Sequence, residues 1–498
     1  MEKAWIVAVD QSTSGTKALL LDRQGGVCAK HSLEHRQFYP QPGWAEHDPL
    51  EIYGNVVASI RGVLREAGVA PSQLAAITIT NQRETAVVWD GETGEPVYHA
   101  IVWQCRRTAA FCDELKRGGH ERTVQEKTGL VIDPYFSASK FRWILDHAAK
   151  SGDKADQRAG RRLLAGTIDS WLIWKLTGGA VHATDYSNAS RTSLFNIHTL
   201  QWDPALIGLF GLAGVELPQV RSSDAVFGYT ADSSLFAERV PIAGVIGDSQ
   251  AALFAQRCHR PGMAKATYGT GTSVMMNTGR YPASAGNGLV ATIAWGSGGT
   301  VDYALEGIIH STGDCVKWVR DQLGLFGDYA EAESQAVELA DNEGVYLVPA
   351  FVGLGAPYWA PNARAALLGM SRRTGRRHII RAAFESIAYQ VRETMELMAA
   401  EAGVPLRELR VDGGATANRF VMQFQADMLQ TPLVQGAVPE LSAIGAAMLG
   451  GLGVGFWSDP KQLAELFPNG CEFRPAMEQT ASDKYFAGWK KAVQAVIG

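Results

Sequence analysis

Asp248 closes an apolar run, Pro241-Ile-Ala-Gly-Val-Ile-Gly247, and is followed by Ser249 and Gln250. Downstream comes Thr267-Tyr-Gly-Thr-Gly-Thr-Ser273, a small-residue loop whose backbone N–H groups can wrap a phosphate. A general base beside a phosphate cradle is what transfer of a phosphoryl group to a hydroxyl requires. Taken alone, the same residues also fit a capped strand followed by an ordinary β-turn.

Two further loops share this character. Residues 10–17 combine Asp10, the hydroxyls of Thr13 and Ser14, and the cation Lys17. Residues 412–418 place Gly413 and Gly414 after a strand and before a helix, where a flat nucleoside can approach the backbone. Each loop is a weak signal, but three of them at strand ends point to a nucleotide. Asp10 is then the candidate for Mg2+, held through water, and Asp248 the candidate base. No Gly-x-x-x-x-Gly-Lys-Ser/Thr occurs, which excludes a Walker-type loop. Gly451-Leu-Gly-Val-Gly455 follows a helical run and reads as a glycine-capped helix end, not a dinucleotide fingerprint.

A fourth group has no nucleotide role. Arg83 and Glu84 end a strand, and Trp103 and Tyr135 lie in nearby polar segments. Charged groups that hydrogen-bond hydroxyls, with an aromatic face over the C–H side, suit a hydroxyl-rich ligand. A surface ion pair over a half-buried aromatic would leave the same residues.

These loops need strands to hold them. Apolar runs predict strands at 5–9, 17–22 and 74–80, with a further hairpin from 86, and a helix over 49–67 carries Ile52, Val56, Ile60 and Val63 on one face. A similar order recurs with strands at 271–277, 289–293, 299–305 and 406–411 around a helix over 376–400. The recurrence suggests an ancient duplication without visible sequence repeats. We expect an α/β protein of two domains, 1–252 and 253–498, joined by a linker near 250–262, with ligands in the crevice between them.

Bulk properties narrow the class. The 498 residues exceed one core. The 46 basic and 51 acidic residues leave a net charge of −5, so no nucleic-acid partner is expected. Six scattered cysteines without zinc-like spacing fit a reducing cytoplasm. No uncharged apolar run reaches the ~18 residues of a membrane span, so no membrane insertion is expected. We also expect a homodimer or higher homo-oligomer.

The most specific stretches are Ile79-Thr-Asn-Gln-Arg-Glu-Thr85, Ile101-Val-Trp-Gln-Cys-Arg-Arg-Thr108, Thr128-Gly-Leu-Val-Ile-Asp-Pro-Tyr-Phe136, Thr184-Asp-Tyr-Ser-Asn-Ala-Ser-Arg191, Pro349-Ala-Phe-Val-Gly-Leu-Gly-Ala-Pro-Tyr-Trp359 and Val411-Asp-Gly-Gly414. With them the chain resembles the FGGY carbohydrate kinases over nearly its whole length, most closely the branch acting on glycerol. The resemblance implies two actin-like (ribonuclease-H-like) ATPase domains flanking a deep cleft, with ATP and Mg2+ on one side and a polyol or ketose on the other. By position, Thr13, Ser14, Lys17, Thr270, Gly313, Lys317, Gly414 and Asn418 resemble nucleotide contacts. Asp10 resembles the metal-side aspartate. Arg83, Glu84, Trp103, Tyr135, Asp248, Ser249 and Ser273 fall at substrate positions, with Asp248 as the base.

The chain departs from the pattern at several places. Ser273 stands where an aromatic is usual, and Ser249 where a glutamine is. Lys17 replaces an arginine, and Lys317 a glutamine. The loop some bacterial members use for fructose 1,6-bisphosphate is absent from 230–239. Glycerol, phosphorylated at a terminal hydroxyl to glycerol 3-phosphate, is the leading acceptor. A four- or five-carbon polyol or ketose (erythritol, threitol, ribulose, xylulose) is the alternative, and a non-catalytic ATP-binding actin-like protein a distant one.

Overall fold

The computed structural model describes residues 3–150, 162–231, 235–355, 357–358 and 360–498. Parts of two stretches singled out above, 232–234 and residues 356 and 359, lie outside the described residues.

The first sheet is built from β1 (Trp5–Gln11), β2 (Gly15–Leu21), β3 (Val27–Glu34), β4 (Leu74–Asn81), β5 (Val226–Tyr229) and β6 (Pro241–Gly247), in the order β5-β6-β4-β1-β2-β3. β1, β2 and β3 form an antiparallel meander, while β4 and β6 run parallel to β1. The parallel strands β1, β4 and β6 are buried nearly throughout, as strands covered on both faces must be. The helix α1 (Pro49–Ala67) starts where an Asp48 carboxylate oxygen accepts from the Leu50 N–H at 2.8 Å. It ends at Gly68 in the left-handed region. Its Ile52, Val56, Ile60 and Val63 pack with Val7, Val9 and Ile79 in one core.

Chain continuity then runs through α2 (Asp248–Ala255), which starts directly at the end of β6. The expected linker near 250–262 is narrowed: 250–255 is helix, and the connection free of helix and strand runs over 256–262. Ala251 to Ala255 are apolar helix formers buried between two sheets, so no exposed connection forms there. The division at 252/253 falls inside this helix.

The second sheet comprises β7 (Met263–Tyr268), β8 (Thr272–Gly279), β9 (Val290–Ser297), β10 (Thr300–Ile309), β11 (Glu408–Gly413), β12 (Leu433–Gly436) and β13 (Asn469–Phe473), in the order β9-β10-β8-β7-β11-β12-β13. Its β10-β8-β7-β11-β12 core repeats the β3-β2-β1-β4-β6 order and strand directions of the first sheet. The helices α3 (Gly313–Asp321), α4 (Arg376–Ala402), α5 (Arg419–Leu429) and α6 (Leu441–Gly453) complete the elements used below. Residues 451–453 form the end of α6, with Gly455 left-handed just beyond it.

Between the sheets lies a shared apolar core. It joins Ile6, Ala8 and Leu19 of the first sheet to Met275, Trp295 and Ala304 of the second, through Leu253 of α2 and Ile444 and Leu449 of α6. Two glycines let α6 approach closely: a Cβ on Gly445 would lie 2.0 Å from the Ala251 carbonyl oxygen, and one on Gly450 would lie 2.5 Å from that of Ala243.

Candidate active site

The first phosphate-type loop is the β1–β2 hairpin, with Asp10 facing Lys17 in register. Ser14 is exposed at its tip, and Thr13 is half-buried. The Thr13 hydroxyl accepts from Trp103 Nε1–H at 3.0 Å, so the loop is tied to an aromatic expected on the substrate side. Trp103 in turn meets Tyr135, ring centroids 5.4 Å apart.

Arg83 and Glu84 form the corner after β4, both held at φ 43°. Left-handed backbone at two consecutive non-glycine residues is strained and persists only where the surroundings enforce it. Here the enforcing contacts are ionic. Arg83 Nε lies 3.0 Å from Asp248 Oδ1, its Nη2 lies 2.9 Å from Glu306 Oε1, and its Nη1 donates to Gln250 Oε1 at 3.2 Å. Arg191 closes the ring, 2.6 Å from Glu84 Oε1 and 2.8 Å from Glu306 Oε2. Arg83, Glu84, Arg191 and Glu306 are all buried. Burial pushes the Glu306 carboxyl up, but Arg191 and Arg83 outweigh it and hold the group at about 2. For Glu84 burial prevails over the same two arginines and raises it.

Asp248 opens α2 with its side chain 39% exposed, and its Oδ1 accepts from the Ser249 N–H at 2.6 Å. The Ser442 hydroxyl, from the first turn of α6, donates to the Asp248 carbonyl at 3.0 Å. Asp10, Lys17, Asp248, Ser249 and Ser273 all line one cleft cavity of about 640 Å³. Burial pushes Asp10 up to about 7, Lys17 opposing and Asp248 adding to the rise. The Ser273 hydroxyl is buried without a hydrogen-bond partner.

On the second half, Gly313 and Thr270 belong to one contact. The Gly313 N–H donates to the Gly269 carbonyl at 3.2 Å, and the Thr312 and Asp314 N–H groups donate to the Thr270 carbonyl. A Cβ on Gly313 would lie 2.3 Å from Gly269 O, so the β7–β8 hairpin seats on the start of α3 only because that residue is glycine. Gly414 is exposed with open space where a side chain would be, and Asn418 caps α5 by accepting from the Val421 N–H at 2.9 Å. The Asn418 Nδ2 is buried and unpartnered. Lys317 is exposed on α3 and is not among the residues lining the cavity.

The structure thus gathers Asp10, Lys17, Asp248, Ser249 and Ser273 at one cavity and links Arg83, Glu84, Trp103, Tyr135 and Thr13 to it. Four other residues enter that sequence reasoning did not single out. Arg191 and Glu306 complete the ion ring, Lys265 lines the cavity, and Glu440 takes both Lys17, at 2.8 Å, and Lys30. Lys17 is therefore paired with Glu440 of the second half while remaining partly exposed. Glu306 had a signal in the sequence: a lone carboxylate inside the apolar run Tyr303-Ala-Leu-Glu-Gly-Ile308.

Among the described residues no group of three or more His, Cys, Asp or Glu side chains is arranged to hold a metal ion. No helix among them is long and apolar enough to cross a membrane.

With this geometry in place, comparison with known proteins is specific. Residues 5–255 match the N-terminal domain of the FGGY family of carbohydrate kinases, and residues 264–454 its C-terminal domain. A glycerol kinase of Caldanaerobacter subterraneus subsp. tengcongensis is 51% identical over 493 residues, 99% of this chain and 98% of that protein. Glycerol kinase 2 of Thermotoga maritima is 50% identical over 494 residues, 99% of each. The crystal structure of Plasmodium falciparum glycerol kinase with ADP superposes with a TM-score of 0.93 at 36% identity, covering 99% of this chain and 98% of that one. Two actin-like (ribonuclease-H-like) domains with duplicated sheet order, and full-length similarity at this level, lead to one conclusion: the chain belongs to the FGGY family of carbohydrate kinases.

Proposed function

We propose that this ATP-dependent kinase phosphorylates a terminal hydroxyl of glycerol, giving glycerol 3-phosphate, with Asp248 as the general base. The observation that carries the reading is the meeting of Asp248 with Arg83 at 3.0 Å on the wall of the cleft cavity. The similarity to glycerol kinases supports the choice of acceptor.

In this reading residues 1–252 supply the acceptor side and residues 253–498 most of the nucleotide side. Arg83 and Glu84 hydrogen-bond the acceptor's hydroxyls, while Trp103 and Tyr135 cover its carbons. Asp248 takes the proton from the attacking hydroxyl, and Arg83 steadies the carboxylate that does so. Ser249 and Ser273 face the acceptor with hydroxyls. Thr13, Ser14 and Thr270 present hydroxyl and backbone donors to the phosphates, with Lys17 exchanging Glu440 for an anionic oxygen. Gly313, Lys317, Gly414 and Asn418 border the nucleoside, Asn418 Nδ2 offering its unused donor. A single carboxylate, Asp10, suits Mg2+, which keeps most of its waters and takes its remaining ligands from phosphate. Such an ion, when bound, neutralises charge developing on the phosphoryl oxygens.

The test is a panel of glycerol, erythritol, threitol, ribulose and xylulose ranked by kcat/KM through ADP release. Glycerol should lead, and Asp248→Asn should lose at least about 100-fold in kcat. Because the buried Ser273 hydroxyl lacks a partner, a longer polyol is the second reading. It would lead the panel, and Ser273→Phe would then shift preference toward glycerol.

A further inference from the structure

Lys265 lies on β7, two residues before Thr267, so strand alternation sends both side chains to the same face. It is 2% exposed yet lines the cleft cavity, together with Thr267, Asp412, Asp10 and Asp248. Its ammonium donates to the Thr267 hydroxyl at 3.0 Å, and that hydroxyl donates to Asp412 Oδ2 at 3.1 Å. Asp412 also accepts from the Gln256 side-chain amide. Among the described residues no carboxylate oxygen comes within 4.0 Å of Lys265 Nζ. The other lysine of the cavity, Lys17, is bound to Glu440.

An ammonium has three donors, and burial without matching acceptors is unfavourable. Lys265 uses one donor on a neutral hydroxyl. Burial accordingly pushes its amine below the ordinary lysine range, with Asp412, Glu306 and Asp248 pulling the other way at longer range. A buried cation with spare donors, facing a cavity that also holds the candidate base, is suited to an anionic ligand.

We propose that Lys265 is a catalytic residue whose ammonium binds a non-bridging oxygen of the terminal phosphoryl group of a nucleoside triphosphate and keeps it through transfer. This rests on the kinase reading above. In the step itself, the bond from the terminal phosphorus to the β–γ bridging oxygen breaks and its electron pair stays on the departing diphosphate. A new P–O bond forms to the acceptor hydroxyl, whose proton passes to Asp248. Lys265 neither gains nor loses a proton. Its two unused donors follow the charge on the moving group, and Asp412 with Thr267 holds the side chain in place.

The test compares binding of ADP and of a triphosphate analogue with an imido β–γ bridge by titration calorimetry, without acceptor. For Lys265→Met the analogue should bind roughly 10- to 100-fold more weakly, the range of a charge-assisted hydrogen bond, while ADP changes less than about 3-fold. In turnover, kcat should drop by at least about 100-fold with the acceptor KM unchanged, and Lys265→Arg should recover part of it. Lys265→Gln, which keeps a donor for Thr267, serves if the methionine variant does not fold. Equal weakening of ADP and analogue, or no weakening of either, would overturn the proposal and leave Lys265 as a support for Asp412. Since the binding arm contains no acceptor, a wrong choice of glycerol leaves its result intact.

Discussion

Asp10 shows how burial can set a single carboxyl against its own ionisation. Its carboxyl is carried from the usual 3.8 to about 7 by burial, so ionising it in the folded state is unfavourable. A raised carboxylate pKa means the folded state loses stability as pH rises from about 4 to about 7, and stays lower above that. Asp10→Asn should therefore raise the melting temperature of the nucleotide-free protein, more at pH 8 than at pH 5. Scanning calorimetry in the absence of divalent cations reads this directly, and equal gains at both pH values would contradict it. Arg83 and Glu84 make the complementary case. Their left-handed backbone is kept by ion pairs to Asp248, Glu306 and Arg191, so the strain is stored where the acceptor is expected.

At the level of elements, the close crossing of α2 and α6 places two candidate site features in register. The first turn of α6 carries Ser442, which holds the backbone of Asp248, and Glu440 just before it holds Lys17. Gly445→Ala would put a methyl 2.0 Å from the Ala251 carbonyl and force the helices apart. We expect a loss of about 1–3 kcal/mol in urea unfolding and a fall in kcat larger than the change in the KM for ATP. The strands and α1 were legible because periodicity is a local property: α1 runs over the residues its apolar spacing indicates, and the phosphate-type hairpins sit where small residues follow apolar runs. The linker was legible only in part: Arg260-Pro-Gly262 lies in the connection at 256–262, but the run to Ala255 is helix, packed under a second helix nearly two hundred residues later. Arg191 and Glu306 escaped for the same reason. They reach Glu84 and Arg83 from 107 and 223 residues away, and no spacing rule encodes such a meeting.

For the whole molecule, the buried ring is the polar counterpart of the shared apolar core. Arg83, Glu84 and Arg191 come from the first half, and Glu306 from β10 of the second. Glu306→Gln leaves a buried guanidinium pair short of one negative charge and should cost about 3–5 kcal/mol at pH 7. Because the Glu306 carboxyl is depressed from 4.5 to about 2, its contribution is complete above about pH 4.5 and fades as pH falls through 2. The stability gap between wild type and Glu306→Gln, followed by denaturant titration, should narrow over that window. A gap unchanged by pH would mean the ring is not charged as described. The seating of α6 has a further consequence for anyone who would take the molecule apart. The helix belongs to the second half by sequence, but its small-residue face fills a socket in the first. Severed near residue 262, each piece would bare what the other was shaped to cover, so the halves should fail to fold alone and regain activity only as a complementing pair.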